Sequence, residues 1–231
     1  MLKLYDIDYN NYVDIIGTAH FTRRSINDAY KSIKSLKPED IAIELDQKRF
    51  ERLNTACLNC SKRGSCLGLC EFTGAAEALG NVNANIWLID MTIQEINQRI
   101  RNRTLLYKMY LPPSYRYLVE DPIWLWEKGY KERVNKNSEK EMATLRKIFP
   151  SVWQVLIDER NALMSARIAW IASKNAREEK QSKILALVGA AHVEGIRELL
   201  GKPLLMKHRF AELGLPFTVP TLIRRVAIRG D

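Results

Sequence analysis

The chain has 231 residues, 46% of them hydrophobic and 27% charged, with 36 basic and 27 acidic side chains for a formal net charge of +9. That length suits one large domain or two small ones with a full core, and no stretch approaches the roughly 18 apolar residues of a membrane span. The first ten residues lack the apolar core of a secretory signal, and the basic residues are mixed with acids, which reads as a solvated surface rather than a nucleic-acid face; a cytoplasmic protein is the default expectation.

In chain order, residues 2–9 alternate polar and apolar and, with Tyr12 to Gly17 beyond Asn10-Asn11, predict two strands joined by a tight turn. Ser25-Ile26-Asn27-Asp28 offers an N-cap with an acid three residues on. The helix it opens runs from Ile26 to Leu36, buries Ile26, Tyr30, Ile33 and Leu36, and stops at Lys37-Pro38. Asp40 to Asp46 reads as the next strand, with Glu44 and Asp46 at its carboxyl end, and a helix from Gln47 to about Asn59 carries Arg49 and Arg52. After a cysteine-rich loop, Phe72 to Leu79 predicts a short helix and Asn85 to Asp90 a third strand, ended by Asp90. From Ile93 to Lys174 the pattern is helical, punctuated by Pro112-Pro113, Pro122 and Pro150 and anchored by Trp124, Trp126 and Trp153. Within it, Pro150 to Ser173 reads as one long helix with Ile157, Asn161, Met164, Ile168 and Ile171 on one stripe. Ile184 to Val188 returns to strand, and a helix from near His192 to Leu200 ends at Gly201. The tail holds Pro203, Pro216 and Pro220 and no readable motif; it is expected to wrap the domain or a second subunit, which makes a homodimer an open expectation.

Strands alternating with helices predict the α/β class: a mostly parallel or mixed central sheet flanked by helices, with a helical insertion between the last two core strands. The expected layout is a single domain over residues 1–231. Its sheet core comes from about 1–92 and 183–200, with the insertion at about 93–178 and a C-terminal tail at 201–231.

One pattern occurs twice. Val13-Asp14-Ile15-Ile16-Gly17-Thr18-Ala19-His20 and Leu185-Ala186-Leu187-Val188-Gly189-Ala190-Ala191-His192 are each a short apolar run followed by Gly-x-x-His and a helix. The glycine is read as the tight turn at the strand end. Each copy therefore puts a histidine just past the carboxyl end of a strand, the edge where open α/β sheets bind ligands. Of three histidines in the chain, two hold these places. Four strand ends then carry His20, Glu44 with Asp46, Asp90 and His192. Two imidazoles and one or two carboxylates are a common ligand set for zinc, manganese or cobalt, and a metal with open positions activates water. Without a metal the same groups serve as general base and acid; the alternative is strand-end residues held by hydrogen bonds, with no chemistry.

Asn161 interrupts its apolar stripe within Asp158-Glu159-Arg160-Asn161. A buried amide is costly unless paired, so a polar group such as the sheet-end site is expected to face it. Arg160 would then bind a carboxylate or orient Glu44; the alternative is a surface ion pair beside a half-exposed Asn.

These residues carry a family resemblance. Gly17-Thr18-Ala19-His20, Ile43-Glu44-Leu45-Asp46-x-x-Arg49-Phe50, Leu88-Ile89-Asp90, Asp158-Glu159-Arg160-Asn161-x-x-Met164 and Val188-Gly189-Ala190-Ala191-His192-x-x-Gly195-Ile196 resemble, in order and approximate spacing, the TraB/PrgY family. That family is related to the Tiki-type proteases and, more distantly, to the ChaN and erythromycin-esterase-like folds. The resemblance spans roughly residues 12 to 200. It implies an α/β fold with a helical insertion, and it implies that His20, Glu44 and His192 match the family's active-site positions. Metal-dependent peptidase activity belongs to the Tiki branch, whereas the TraB branch is tied to blocking peptide pheromones. Many relatives carry C-terminal membrane segments, and none is read here.

All four cysteines fall in Cys57-x2-Cys60-x5-Cys66-x3-Cys70, with Gly64 and Gly68 inside. Four thiolates this close suit a structural zinc or an iron–sulfur cluster; two disulfides or free thiols are the alternatives. The loop is expected to stiffen the chain and do no chemistry.

The sequence thus supports a metal-dependent, peptidase-like hydrolase with His20 and His192 as ligands or acid–base groups. Glu44 would be a ligand or the base, Arg160 would stabilise developing negative charge, and Asp46, Arg49, Asp90, Glu159 and Asn161 would surround them. The competing reading is a non-enzymatic protein that sequesters a peptide or small ligand in the same crevice.

Overall fold

The structure, a computed structural model, describes residues 7–18, 23–58, 84–110, 143, 146–147, 149–180 and 183–223; the side chains of 23–27, 53–58 and 105–110 are not among those described. Five strands form one sheet: β1 (Val13–Thr18), β2 (Asp40–Ile43), β3 (Asn85–Leu88), β4 (Ile184–Gly189) and β5 (Thr221–Ile223), in the order β1-β4-β2-β3-β5. β1, β4, β2 and β3 are parallel, and β5 runs antiparallel to β3. The fold is α/β, with a mixed sheet flanked by helices.

β4 occupies the slot between β1 and β2, and both of its faces are covered. Its apolar run is therefore continuous rather than alternating. Leu185 and Leu187 pack with Ala29 and Ile33 of helix α1 (Arg23–Leu36) and with Ile41 and Ile43 of β2. Ile184, Ala186 and Val188 point to the other face, where Met164, Ile168 and Ile171 of α5 (Arg160–Arg177) and Ile196 of α6 (Ala190–Gly201) form the larger core cluster. The remaining described helices are α2 (Gln47–Leu58), α3 (Ile93–Tyr110), α4 (Pro150–Trp153) and α7 (Pro203–Glu212), with a π-helical turn at Gln154–Glu159.

The chain divides into two compact units, Met1–Asp90 with Asn161–Asp231, and Met91–Arg160. In the second unit Glu159 is fully buried, with its carboxylate paired to Arg99 and, at 3.0 Å, to Arg103.

Several local expectations change. The alternation at 2–9 predicts a strand, but Tyr9–Tyr12 is a 3₁₀ turn capped by Asp8, whose carboxylate accepts from the Asn10 N–H at 2.9 Å. Residues 2–6 lie outside the described residues, and the 3₁₀ turn falls on the tight turn expected at Asn10-Asn11. α1 begins at Arg23, ahead of the expected cap at Ser25. Leu36 is 47% exposed because the helix closes there, with Lys37 at φ 43° and its N–H bonded to Ile33 O. The glycine of the first Gly-x-x-His motif is not a turn. Gly17 lies inside β1, where an added Cβ would meet Val193 Cγ2 at 2.8 Å and Ala190 Cα at 3.3 Å, so it permits close approach of α6. The tail contributes α7, with Pro203 in its first turn, and the three-residue edge strand β5. The predicted helix at 72–79 lies outside the described residues.

At the amino end of β2, Asp40 is 1% exposed. It accepts from Trp87 Nε1 at 2.6 Å, Asn85 Nδ2 at 3.1 Å and Asn175 Nδ2 at 2.9 Å, and faces Lys180 Nζ at 3.5 Å. Burial alone would raise its pKa, but the hydrogen bonds and the Lys180 charge outweigh burial and hold it below the ordinary carboxylate value. A depressed folded-state pKa adds stability that is present above the unfolded pKa and lost as pH falls through the folded one. Asp40→Asn is therefore expected to cost about 2–3 kcal/mol at pH 7, and its gap to the parent protein is expected to shrink as pH drops below the ordinary carboxylate range. Urea unfolding at pH 7 and pH 3 checks this; an equal gap at both values would contradict it.

Candidate functional site

The strand order brings the carboxyl ends of β1, β4 and β2 side by side. Thr18 pairs with Gly189, and Ile43 with Leu187. Past the end of β2 the pairing continues for one bond, from the Glu44 N–H to Leu187 O at 3.1 Å. Leu45 N–H then closes on Ile43 O at 2.8 Å. Together these bonds fix the backbone from which the Glu44 side chain departs.

Glu44 is 5% exposed and reaches across to the start of α6. Its Oε2 accepts from the Gly189 N–H at 2.5 Å, and Gly189 is the N-cap residue of that helix, with no side chain of its own to cap it. A carboxylate at a helix N-terminus satisfies an orphan donor and opposes the positive end of the dipole. The other oxygen, Oε1, lies 3.4 Å from His192 Nε2. His192 is itself 4% exposed, and its Nδ1 lies 2.7 Å from Asn161 Oδ1. A carbonyl oxygen only accepts, so Nδ1 carries the proton and donates it to Asn161. Nε2 faces the Glu44 carboxylate, with which it forms an ion pair when the ring is protonated.

Asn161 is held in turn. It is 5% exposed, on the first turn of α5, and a Cβ at position 195 would lie 2.2 Å from its Nδ2. The absence of a side chain at Gly195 is what lets the amide sit against α6. Thr18 Oγ1 donates to Val188 O at 3.2 Å on the other flank.

Asp46, Arg49 and Asp90 form a neighbouring network. Asp46 Oδ1 caps α2 by accepting from Lys48 N at 2.9 Å and Arg49 N at 3.1 Å. The Arg49 guanidinium bridges Asp46 and, at 2.6 Å, Asp90. Asp90 O also accepts from Arg167 Nη1 at 2.6 Å, and Arg167 holds Thr218 of the tail through its carbonyl and hydroxyl.

Of the residues singled out in the sequence, Glu44, His192 and Asn161 meet, and Asp46, Arg49 and Asp90 meet beside one another. Glu159 and Arg160 belong to the second unit, where Arg160 Nη1 donates to Leu156 O at 3.1 Å. His20, Cys60, Cys66 and Cys70 lie outside the described residues, as does the side chain of Cys57 on α2. Among the described residues no three His, Cys, Asp or Glu side chains are grouped to hold a metal ion, and no helix is long and apolar enough to cross a membrane. Sequence reasoning missed Arg167 and the role of Gly195. Arg167 was visible as a charge inside the apolar stripe between Met164 and Ile168, and Gly195 as a glycine inside a helix.

The fold and this buried carboxylate–imidazole–amide centre define an α/β protein with a polar site at the carboxyl edge of its sheet. The sequence profile of the TraB/PrgY/gumN family matches residues 82–203, more than half of the chain, and the chain belongs to that family. An uncharacterised protein of Methanocaldococcus jannaschii is 32% identical over 217 residues, a match that covers 81% of this chain and 53% of that protein. The chain thus spans about half the length of that curated relative.

Gly195→Ala is expected to push Asn161 off His192 and to cost about 2 kcal/mol, as overpacking does. Thermal unfolding together with the His192 ring-proton resonances checks this. Parent-like stability with unchanged resonances would contradict the close approach.

Proposed function

We propose that this protein is a metal-dependent hydrolase acting on peptides, centred on Glu44 and His192. The observation that carries the reading is the buried Glu44 carboxylate 3.4 Å from His192 Nε2, with the far ring nitrogen fixed by Asn161. A metal-ligating imidazole commonly donates its other N–H to an acceptor in this way, so the donor set suits a divalent ion such as zinc, manganese or cobalt. Glu44, His192 and His20 would hold it, and it would supply an activated water at neutral pH. The chain's own groups do the rest. As the alternative to ligation, Glu44 accepts a proton when water attacks, while the Gly189 N–H steadies its second oxygen. Asn161 keeps His192 in one tautomer. The relation of the TraB/PrgY family to the Tiki-type proteases supports peptides as the substrate class. The thiolates of Cys57, Cys60, Cys66 and Cys70 would form a separate structural zinc or iron–sulfur site.

Protein purified without oxygen is expected to cleave members of a mixed peptide library, to lose turnover on chelation, and to regain it with manganese, cobalt or zinc. His192→Ala and Glu44→Gln are each expected to lower turnover by about 10²–10⁴-fold with the circular-dichroism spectrum retained. Undiminished turnover in the double variant would overturn the assignment. Saturable peptide binding without turnover in the parent protein would favour the sequestering role instead.

A further inference from the structure

At the amino end of β1, away from the strand ends that carry Glu44 and His192, lies a cavity of about 410 Å³. Its walls come from the 3₁₀ turn before β1 and from the last turns of α5. The turn is rigidly placed, because Asp8 caps it and Asn10 Nδ2 donates to Arg197 O of α6 at 3.1 Å. It presents two aromatic rings. Tyr9 is 6% exposed, with its hydroxyl 3.2 Å from Ser173 Oγ. Ser173 Oγ donates to Ala169 O at 2.8 Å, so the tyrosine O–H donates to Ser173 and keeps accepting capacity of its own. Tyr12 is 44% exposed.

Opposite these rings, Ala172 and Ala176 stand one helical turn apart on α5 and leave the space between Tyr9, Tyr12 and the helix unfilled. Arg177 closes the same side. Its Nε donates to Ser173 O at 3.2 Å, and among the described residues no carboxylate pairs with its guanidinium. This contrasts with Lys174, Lys180 and Lys183 around it, which pair with Glu178, Asp40 and Asp14.

We propose that this cavity is a second ligand site, for a small planar molecule that carries an anionic group, either a phosphate or a carboxylate. The volume falls within the range of small-molecule pockets, which combine apolar and aromatic walls with a few polar groups. A flat ring lies against the tyrosine faces and the alanine floor. The anionic group meets the Arg177 fork, whose paired N–H donors match phosphate and carboxylate oxygens. The site is separate from the Glu44–His192 centre. Tyr12 directly precedes β1, and the six residue steps from Tyr12 to Thr18 span about 20 Å.

The test is isothermal titration of the full chain at low ionic strength with four probes: adenosine monophosphate, 4-hydroxyphenylacetate, adenosine and inorganic phosphate. Binding of adenosine monophosphate or 4-hydroxyphenylacetate at least tenfold tighter than both adenosine and phosphate is expected. Which of the two binds tells whether phosphate or carboxylate is preferred. Arg177→Gln on the exposed helix end is expected to weaken that binding about tenfold. Ala176→Leu, also at an exposed position, is expected to abolish it with the thermal midpoint unchanged. Failure of both ring-bearing anions to bind at millimolar concentration, or binding untouched by either substitution, would overturn the site.

Discussion

The arrangement depends on one side chain, the Glu44 carboxylate, which ties the end of β2 to the start of α6. One oxygen takes the Gly189 N–H and the other faces His192. That bridge is possible because β4 lies between β1 and β2, although it is last of the four parallel strands in the chain. A strand in the middle of a parallel sheet must be apolar on both sides, and Ile184 to Val188 meet that demand with two different clusters. The core therefore sets the register, and the register sets where Gly189 and His192 emerge.

The two ends of the sheet show opposite electrostatic solutions. At the amino end, Asp40 is surrounded by four donors and its charge is fully met, which is how a buried carboxylate contributes to stability. At the carboxyl end, the Glu44 carboxylate takes the Gly189 N–H and lies 3.4 Å from His192 Nε2, while Asn161 holds the far ring nitrogen.

Much of this was legible in the sequence, for identifiable reasons. The Val/Ile-rich runs gave the strands, and polar residues at their ends marked Glu44, Asp90 and His192. Asn161 was visible because an amide sits badly on an apolar stripe, and the structure gives it a polar partner in His192. Strand order was not legible, since periodicity says nothing about which strands pair. Gly17 and Gly195 were opaque for a related reason. Neither answers a local backbone demand; each leaves room for a neighbour distant in sequence, α6 in one case and Asn161 in the other. The three-residue β5 is too short for periodicity to resolve.

The central claim is that His192 holds its proton on Nδ1, against Asn161, and turns Nε2 toward Glu44. Nitrogen-15 NMR of the His192 ring in the full-length protein tests it most directly. A protonated, slowly exchanging Nδ1 is expected, with an Nε2 resonance that moves in Glu44→Gln while Nδ1 keeps its proton. A bare Nδ1 in the parent protein would contradict the account, because the imidazole would then face Glu44 as a simple donor with no charge left to share.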